Sequence, residues 1–218
     1  MISDRLGGIV RPFRRRFDGF DTVMVVDEFG NVGKDPKRSE TKFGYAVSVT
    51  EDPNAFVLST ADERRGRRDE LKARDSGNQI SVARRIHSAG TRTYAYYVDK
   101  KDPPKGWDNK DRSKVMRSIL RYSIKKTLPE TNGDVYVVVD HHSAYKGKVR
   151  GLIHSFSRPW KIVDGDDFES HEGLYSDILQ THDHVANSVR SHLESGDRRR
   201  TKILRTRVYK IKGDELCD

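Results

Sequence analysis

The chain has 218 residues with 42 Lys and Arg against 33 Asp and Glu, a formal charge of +9 and a pI near 9.6. That length suits one α/β domain of the usual ~100–200 residues, and no apolar stretch approaches the ~18 residues that span a bilayer. With no signal-peptide core at the N-terminus and Cys217 as the only cysteine, which excludes a disulfide framework or a multi-cysteine metal site, the expectation is a soluble, cytoplasmic protein. Membrane contact is excluded, oligomeric state is left open, and the excess positive charge fits a polyanionic partner, nucleic acid above all.

Residues 1–20 read as a basic and aromatic arm. Arg11-Pro12-Phe13-Arg14-Arg15-Arg16-Phe17 has no helical or strand period, and Arg14, Arg15 and Arg16 are candidates to hold phosphates beside stacking aromatics. It reads equally as a partly ordered N-terminal extension. A single domain is expected over 21–212, with a short tail at 213–218. Its first element is Val23-Met24-Val25-Val26, a continuous apolar run of the kind buried on both faces of a sheet. The run ends in Asp27-Glu28-Phe29-Gly30. Charge at the end of such a strand falls at the sheet rim, where open α/β folds bind ligands; the same four residues also suit a plain hairpin turn.

Residues 42–50 alternate as the antiparallel partner of that strand, and 55–59 are expected to add a third short strand. The run 62–75, with Arg64, Arg65, Arg67, Arg68, Lys72 and Arg74 around Glu70-Leu71-Lys72, has the composition of a solvated face. Helical spacing of Ile80, Ala83 and Ile86 predicts a helix over 79–88 ended by Gly90, and 94–98 a strand. Asp111 and Ser113 are candidate N-caps for a helix carrying Val115, Met116, Ile119, Leu120 and Ile124 on one face and stopping before Pro129.

Val135-Tyr136-Val137-Val138-Val139-Asp140 repeats the pattern of the first strand. The preceding helix can serve as a crossover, and if the two runs are adjacent and parallel, Asp27 and Asp140 emerge together at one edge. Two carboxylates so placed repel unless a cation lies between them. Further on, 145–156 is expected to be a helix and 160–163 a strand. A long helix over 174–193 carries Leu174, Ile178, His182, Val185, Val189 and Leu193 as its apolar stripe. Asp183 falls at the margin of that stripe, a position for a rim ligand or for a solvated aspartate, whereas His182 reads as a packed core residue. His141 and His142 are either neighbours of a site at Asp140 or loop residues. The tail 198–212 is basic, and 203–211 can pair as an edge strand.

Asp27-Glu28-Phe29-Gly30, Glu70-Leu71-Lys72, Asp140 and Leu179-Gln180-x-x-Asp183 together resemble an uncharacterised family catalogued as domain of unknown function thirty-eight hundred. The resemblance spans about residues 22–190. It implies an α/β fold with an RNase H-like mixed sheet, a central parallel pair of strands and helices on both faces. The sequence departs from the family's pattern at Phe29, where serine is usual, and at His182 and His184, where small or apolar residues are usual. The resemblance implies a divalent-metal-dependent nuclease, or a related phosphodiester hydrolase acting on RNA or DNA. Two Mg²⁺ or Mn²⁺ ions roughly 3.5–4 Å apart stabilise the attacking and leaving oxygens in such chemistry, and these hard ions take carboxylate ligands. Asp27, Asp140 and Asp183 are then the expected ligands, Glu28 or Glu70 completes the shell, Lys72 contacts phosphate, and Gln180 orients Asp183 or the attacking water. One alternative is a non-catalytic nucleic-acid-binding module on the same fold. Another, the all-helical phosphohydrolases whose paired ligands look like His182-Asp183, is opposed by the two buried strands. A haloacid-dehalogenase-type site is opposed by Glu28-Phe29 after Asp27.

Overall fold

The computed structural model describes Phe17, residues 19–30, 41–64, 77–103, 112–140, 160–164 and 174–216. Among them, six strands form one sheet: β1 (Thr22–Phe29), β2 (Lys42–Thr50), β3 (Arg92–Asp99), β4 (Val135–Val139), β5 (Trp160–Asp164) and β6 (Arg207–Lys210), in the order β5-β4-β1-β2-β3-β6. β1, β2 and β3 are an antiparallel meander. β4 lies parallel to β1, β5 to β4 and β6 to β3, so the sheet is mixed. The two apolar runs that end in aspartate are therefore adjacent and parallel.

Both faces of the sheet are covered, which is why those strands carry no polar face. Val23, Met24, Val25 and Val26 are each at most 2% exposed, and each such side chain contributes about 1.5–3 kcal/mol on burial. Helix α4 (Arg112–Thr127) packs its Val115, Met116, Ile119, Leu120 and Ile124 on the face that carries Met24, Val26, Val137 and Val139. On the other face lie α1 (Pro53–Leu58), α3 (Gln79–Ser88), α5 (Leu174–Ser195) and α6 (Arg199–Ile203), around Val23, Val25, Tyr136 and Val138; α2 is the single turn Ala61–Arg64.

Residues 55–59 are not a strand. The side chain of Asp52 accepts a hydrogen bond from the Ala55 amide, Pro53 occupies the first turn, and Phe56 and Val57 are buried as part of α1. A side-chain cap and a proline preset for the first turn outweigh the strand propensity of so short a run. Ser113 lies inside α4 rather than capping it, and Pro129 falls in a 3₁₀ turn, Leu128–Glu130, after the helix ends. The expected helix over 145–156 lies outside the described residues, and so does Asp111.

At the N-terminal end Phe17 and Phe20, within the expected arm, meet Tyr136 edge-on with ring centroids 5.0 and 5.1 Å away. At the other end a 3₁₀ turn, Gly213–Leu216, is tied down where Glu215 accepts from the Tyr122 hydroxyl at 2.9 Å and from the Lys212 amide at 2.7 Å. Among the described residues no helix is long and apolar enough to cross a membrane.

Candidate functional site

Strand alternation decides which way the rim acids point. Val23, Val25 and Phe29 are buried toward α5, so Asp27, in the same odd series, points there too. Val138 also faces α5, and the series carries on to Asp140. The parallel ladder pairs Val26 with Val139 and continues one step beyond the strand, with the Asp140 amide donating to the Val26 carbonyl at 2.8 Å. Asp27 and Asp140 are thus successors to a register pair on strands roughly 4.8 Å apart, on one face, both half-buried.

The electrostatics show the consequence. Burial pushes the Asp27 carboxyl well above its ordinary range, and the charges of Asp140, then Glu28, then Asp183 push it the same way, opposed by a hydrogen bond from the Glu28 backbone. The adjacent Glu28 and two acids from distant parts of the chain, Asp140 and Asp183, therefore act on one half-buried carboxyl.

Asp183 comes from α5, which crosses β1 and β2. The helix is pinned by His182, one residue earlier, whose ring meets Ser48 Oγ through Nδ1 at 2.9 Å and the Ala46 carbonyl through Nε2 at 3.1 Å. Ala46 is the cross-strand partner of Asp27, so the anchor of the helix lies beside the acid. Three turns later Glu194 accepts from the Thr41 and Lys42 amides at 3.0 and 2.8 Å, fixing the helix to the start of β2. Asp183 is half-buried, and with Glu28, Phe29, Gly30, Ala186, Asn187 and Arg190 it lines a cleft of about 270 Å³.

The Asp-Glu-Phe-Gly segment is shaped by close approaches. Gly30 has φ +81°, and a Cβ there would collide with the Lys42 carbonyl oxygen, so only glycine suits the turn. Phe29 is 4% exposed. It pairs across strands with Gly44, and its ring fills the space that a side chain at that position would take.

Of the other residues singled out from sequence, Gln180 is half-buried but does not line the cleft. Glu70, Lys72, Arg14, Arg15, Arg16, His141 and His142 lie outside the described residues. His182 and His184 are buried, and His182 is committed to β2 rather than turned toward a ligand. The sheet also removes the all-helical alternative. Asn187, Arg190 and Glu194 were missed, although they follow Asp183 at four, seven and eleven residues, the helical spacing of one face.

The donors at the rim are all carboxylates, the ligand type of hard divalent ions, and a cation would relieve the mutual repulsion felt at Asp27. Among the described residues, however, no three His, Cys, Asp or Glu side chains are drawn together as a finished metal cage. The rim is thus chemically suited to an ion but not closed around one. Compared with protein-family models, curated proteins and solved structures, the chain matches none.

Proposed function

We propose that the chain is an RNase H-like, divalent-metal-dependent nuclease that hydrolyses phosphodiester bonds of nucleic acid at the rim where β1 and β4 end. The observation that carries this reading is the in-register emergence of Asp27 and Asp140 from adjacent parallel strands, on the face where α5 brings Asp183. Mixed-sheet architecture with helices on both faces and the charge of +9 support it.

Asp27, Asp140 and Asp183 would hold Mg²⁺ or Mn²⁺, which would stabilise charge on the attacking and leaving oxygens of an in-line displacement. Glu28, at the cleft mouth, would complete the acidic shell. Asn187 and Arg190 stand about 6 and 10 Å along the helix from Asp183 at ~1.5 Å per residue. There an amide and a guanidinium can donate to phosphate oxygens next to the scissile group. His182 and Glu194 keep the helix, and so Asp183, at a fixed height over the sheet.

Asp27→Asn and Asp140→Asn test the reading. Each should lower Mn²⁺-dependent cleavage of an oligonucleotide at least about a hundredfold, the usual effect of deleting one group that stabilises transition-state charge. Fold by circular dichroism and metal-free oligonucleotide affinity should be retained. Two variants that cut like the parent but melt several degrees lower would make the pair structural. A competing reading, a nucleic-acid-binding module without turnover, is favoured by the absence of a closed three-ligand group among the described residues. Calorimetric titration with Mn²⁺ separates the two, because a binding module has no reason to take up the ion at these acids.

A further inference from the structure

The segment 198–212 contains eight Lys or Arg and no acid. The structure sorts these residues into two groups. Arg200 is 7% exposed, with its guanidinium on Gln79 and Ser191, so it is a packing residue. Arg199 is paired with Asp197 at 2.9 Å. Arg198, Lys202, Arg205, Arg207, Lys210 and Lys212 are exposed around α6 and the edge strand β6, with Arg207 paired to Glu130 at 3.1 Å and Lys210 to the exposed Asp102 at 3.5 Å. On that strand stands Tyr209, 44% exposed, stacked on Tyr96 with centroids 5.3 Å apart and planes 15° apart. Tyr96 is itself buried and hydrogen-bonded to Thr127 at 3.1 Å. One face of Tyr209 is therefore held by an immobile ring, and its exposure lies on the other side.

Topology relates this edge to the acids. β6 runs parallel to β1, and one row of register partners crosses the sheet through Phe29, Gly44, Tyr97 and Lys210. Lys210 thus lies level with the end of β1, three strand spacings or roughly 14 Å away. It follows Val208 in alternation on the face shared with α5, whereas Tyr209, between them, lies with Tyr96 on the α4 face of the same edge. An edge strand gains protection from pairing with other chains by carrying lysine, but that role requires no ordered exposed ring.

We propose that the α6–β6 edge is a docking surface for single-stranded nucleic acid that passes over the edge, with Tyr209 stacking on an unpaired base on the α4 side and Lys210, Lys212 and Arg205 contacting phosphates on the way to the acidic rim. The proposal rests on the nucleic-acid reading above but not on its metal chemistry. Phosphate contacts and base stacking on aromatic rings are the two means by which proteins hold single strands, and a fixed tyrosine can stack only on a base not occupied in a duplex.

The test is fluorescence anisotropy with short dye-labelled single strands of DNA and of RNA, and with the matching duplex, in a chelator so that cleavage plays no part. Tyr209→Ala should weaken single-strand binding by roughly 5- to 100-fold, the usual range for loss of one stacking partner, and Tyr209→Phe should restore it. Lys210→Glu with Lys212→Glu should lower affinity and flatten the log–log salt dependence by about 0.7 for each lost phosphate contact. Lys125→Glu with Lys126→Glu, a charge-matched change on the exposed last turn of α4, should do much less. Parent-like binding by both the Tyr209→Ala and the lysine variants would overturn the docking surface while leaving the Asp27 cleavage result standing. A parent as tight on duplex as on single strand would also overturn it. A parent that binds no oligonucleotide would remove the substrate class proposed above as well.

Discussion

His182 and Asp183 are consecutive residues of one helix, yet they sit in opposite environments. The His182 ring is fully buried and both of its nitrogens are engaged. Because a carbonyl can only accept, Nε2 carries the proton toward Ala46 and Nδ1 accepts from the Ser48 hydroxyl. One step along, Asp183 is half-buried among acids that repel one another. The same helix–sheet contact therefore holds a satisfied polar anchor and a cluster of like charge that raises the Asp27 pKa. The first is how a core tolerates a polar group. The second costs stability in the isolated chain and is the arrangement expected where a ligand offsets the cost.

The largest effect that would break this contrast is at the anchor. His182→Ala leaves the Ser48 hydroxyl without its ring partner and opens a void, a loss of about 3–5 kcal/mol by analogy with buried aromatic residues. At roughly 2–4 °C per kcal/mol for a chain of this size, thermal melting should fall by about 6–20 °C. The pH dependence has a definite sign. Burial pushes the His182 pKa down from 6.5 to about 4, so its contribution to stability is present above 6.5 and lost as pH falls through that window. The parent should lose melting temperature between pH 6.5 and 4 more steeply than His182→Gln. Equal slopes would show that the ring is not buried in neutral form.

A smaller effect belongs to the rim. Asp183→Ala should weaken Mn²⁺ binding about 10- to 100-fold, at least what loss of a supporting residue costs a metal site, with little change in melting temperature. Asp177→Ala, on the same helix but outside the cleft, should leave the titration unchanged. Equal weakening by both would reduce Asp183 to a general contribution to surface charge.

The strands that carry the acids were legible because both ends of the argument were local. An unbroken Val23–Val26 run and its counterpart at 135–139 demand burial on two faces, and the helix before the second run offered a crossover compatible with their being parallel neighbours. The α5 stripe was legible for the same reason, since Ile178, His182, Val185 and Val189 are all fully buried. What escaped depends on contacts distant in sequence. Nothing near Arg200 announces that Gln79 and Ser191 take its guanidinium. Phe29 looked like a departure from a turn serine until Gly44, on the next strand, supplied the space beneath its ring. The false strand at 55–59 failed on local grounds, because the Asp52-Pro53 start of a helix was present in the sequence and outweighs the strand propensity of the run.

The smallest effect is the most pointed test of the rim. Burial and the charges of Asp140, Glu28 and Asp183 raise the Asp27 pKa above its ordinary value of 3.8. A raised pKa means that the folded state binds the proton more tightly than the unfolded state. Asp27's contribution to stability is then fully present below about pH 3.8 and lost as pH rises through the raised value. At pH 7.5 in chelator the folded state must hold the proton or carry the charge there, and either costs stability relative to the unfolded chain. Asn keeps the shape, and it keeps an oxygen to accept from the Glu28 backbone. Asp27→Asn should therefore melt higher than the parent at pH 7.5, by roughly 2–4 °C for each kcal/mol of repulsion relieved, and the gain should shrink toward zero near pH 4. Added Mn²⁺ should reverse the order, because an ion bound to the native state stabilises the chain that holds it more tightly. A variant less stable than the parent at every pH would show that Asp27 is held by its neighbours rather than repelled by them, and the contrast with His182 would disappear.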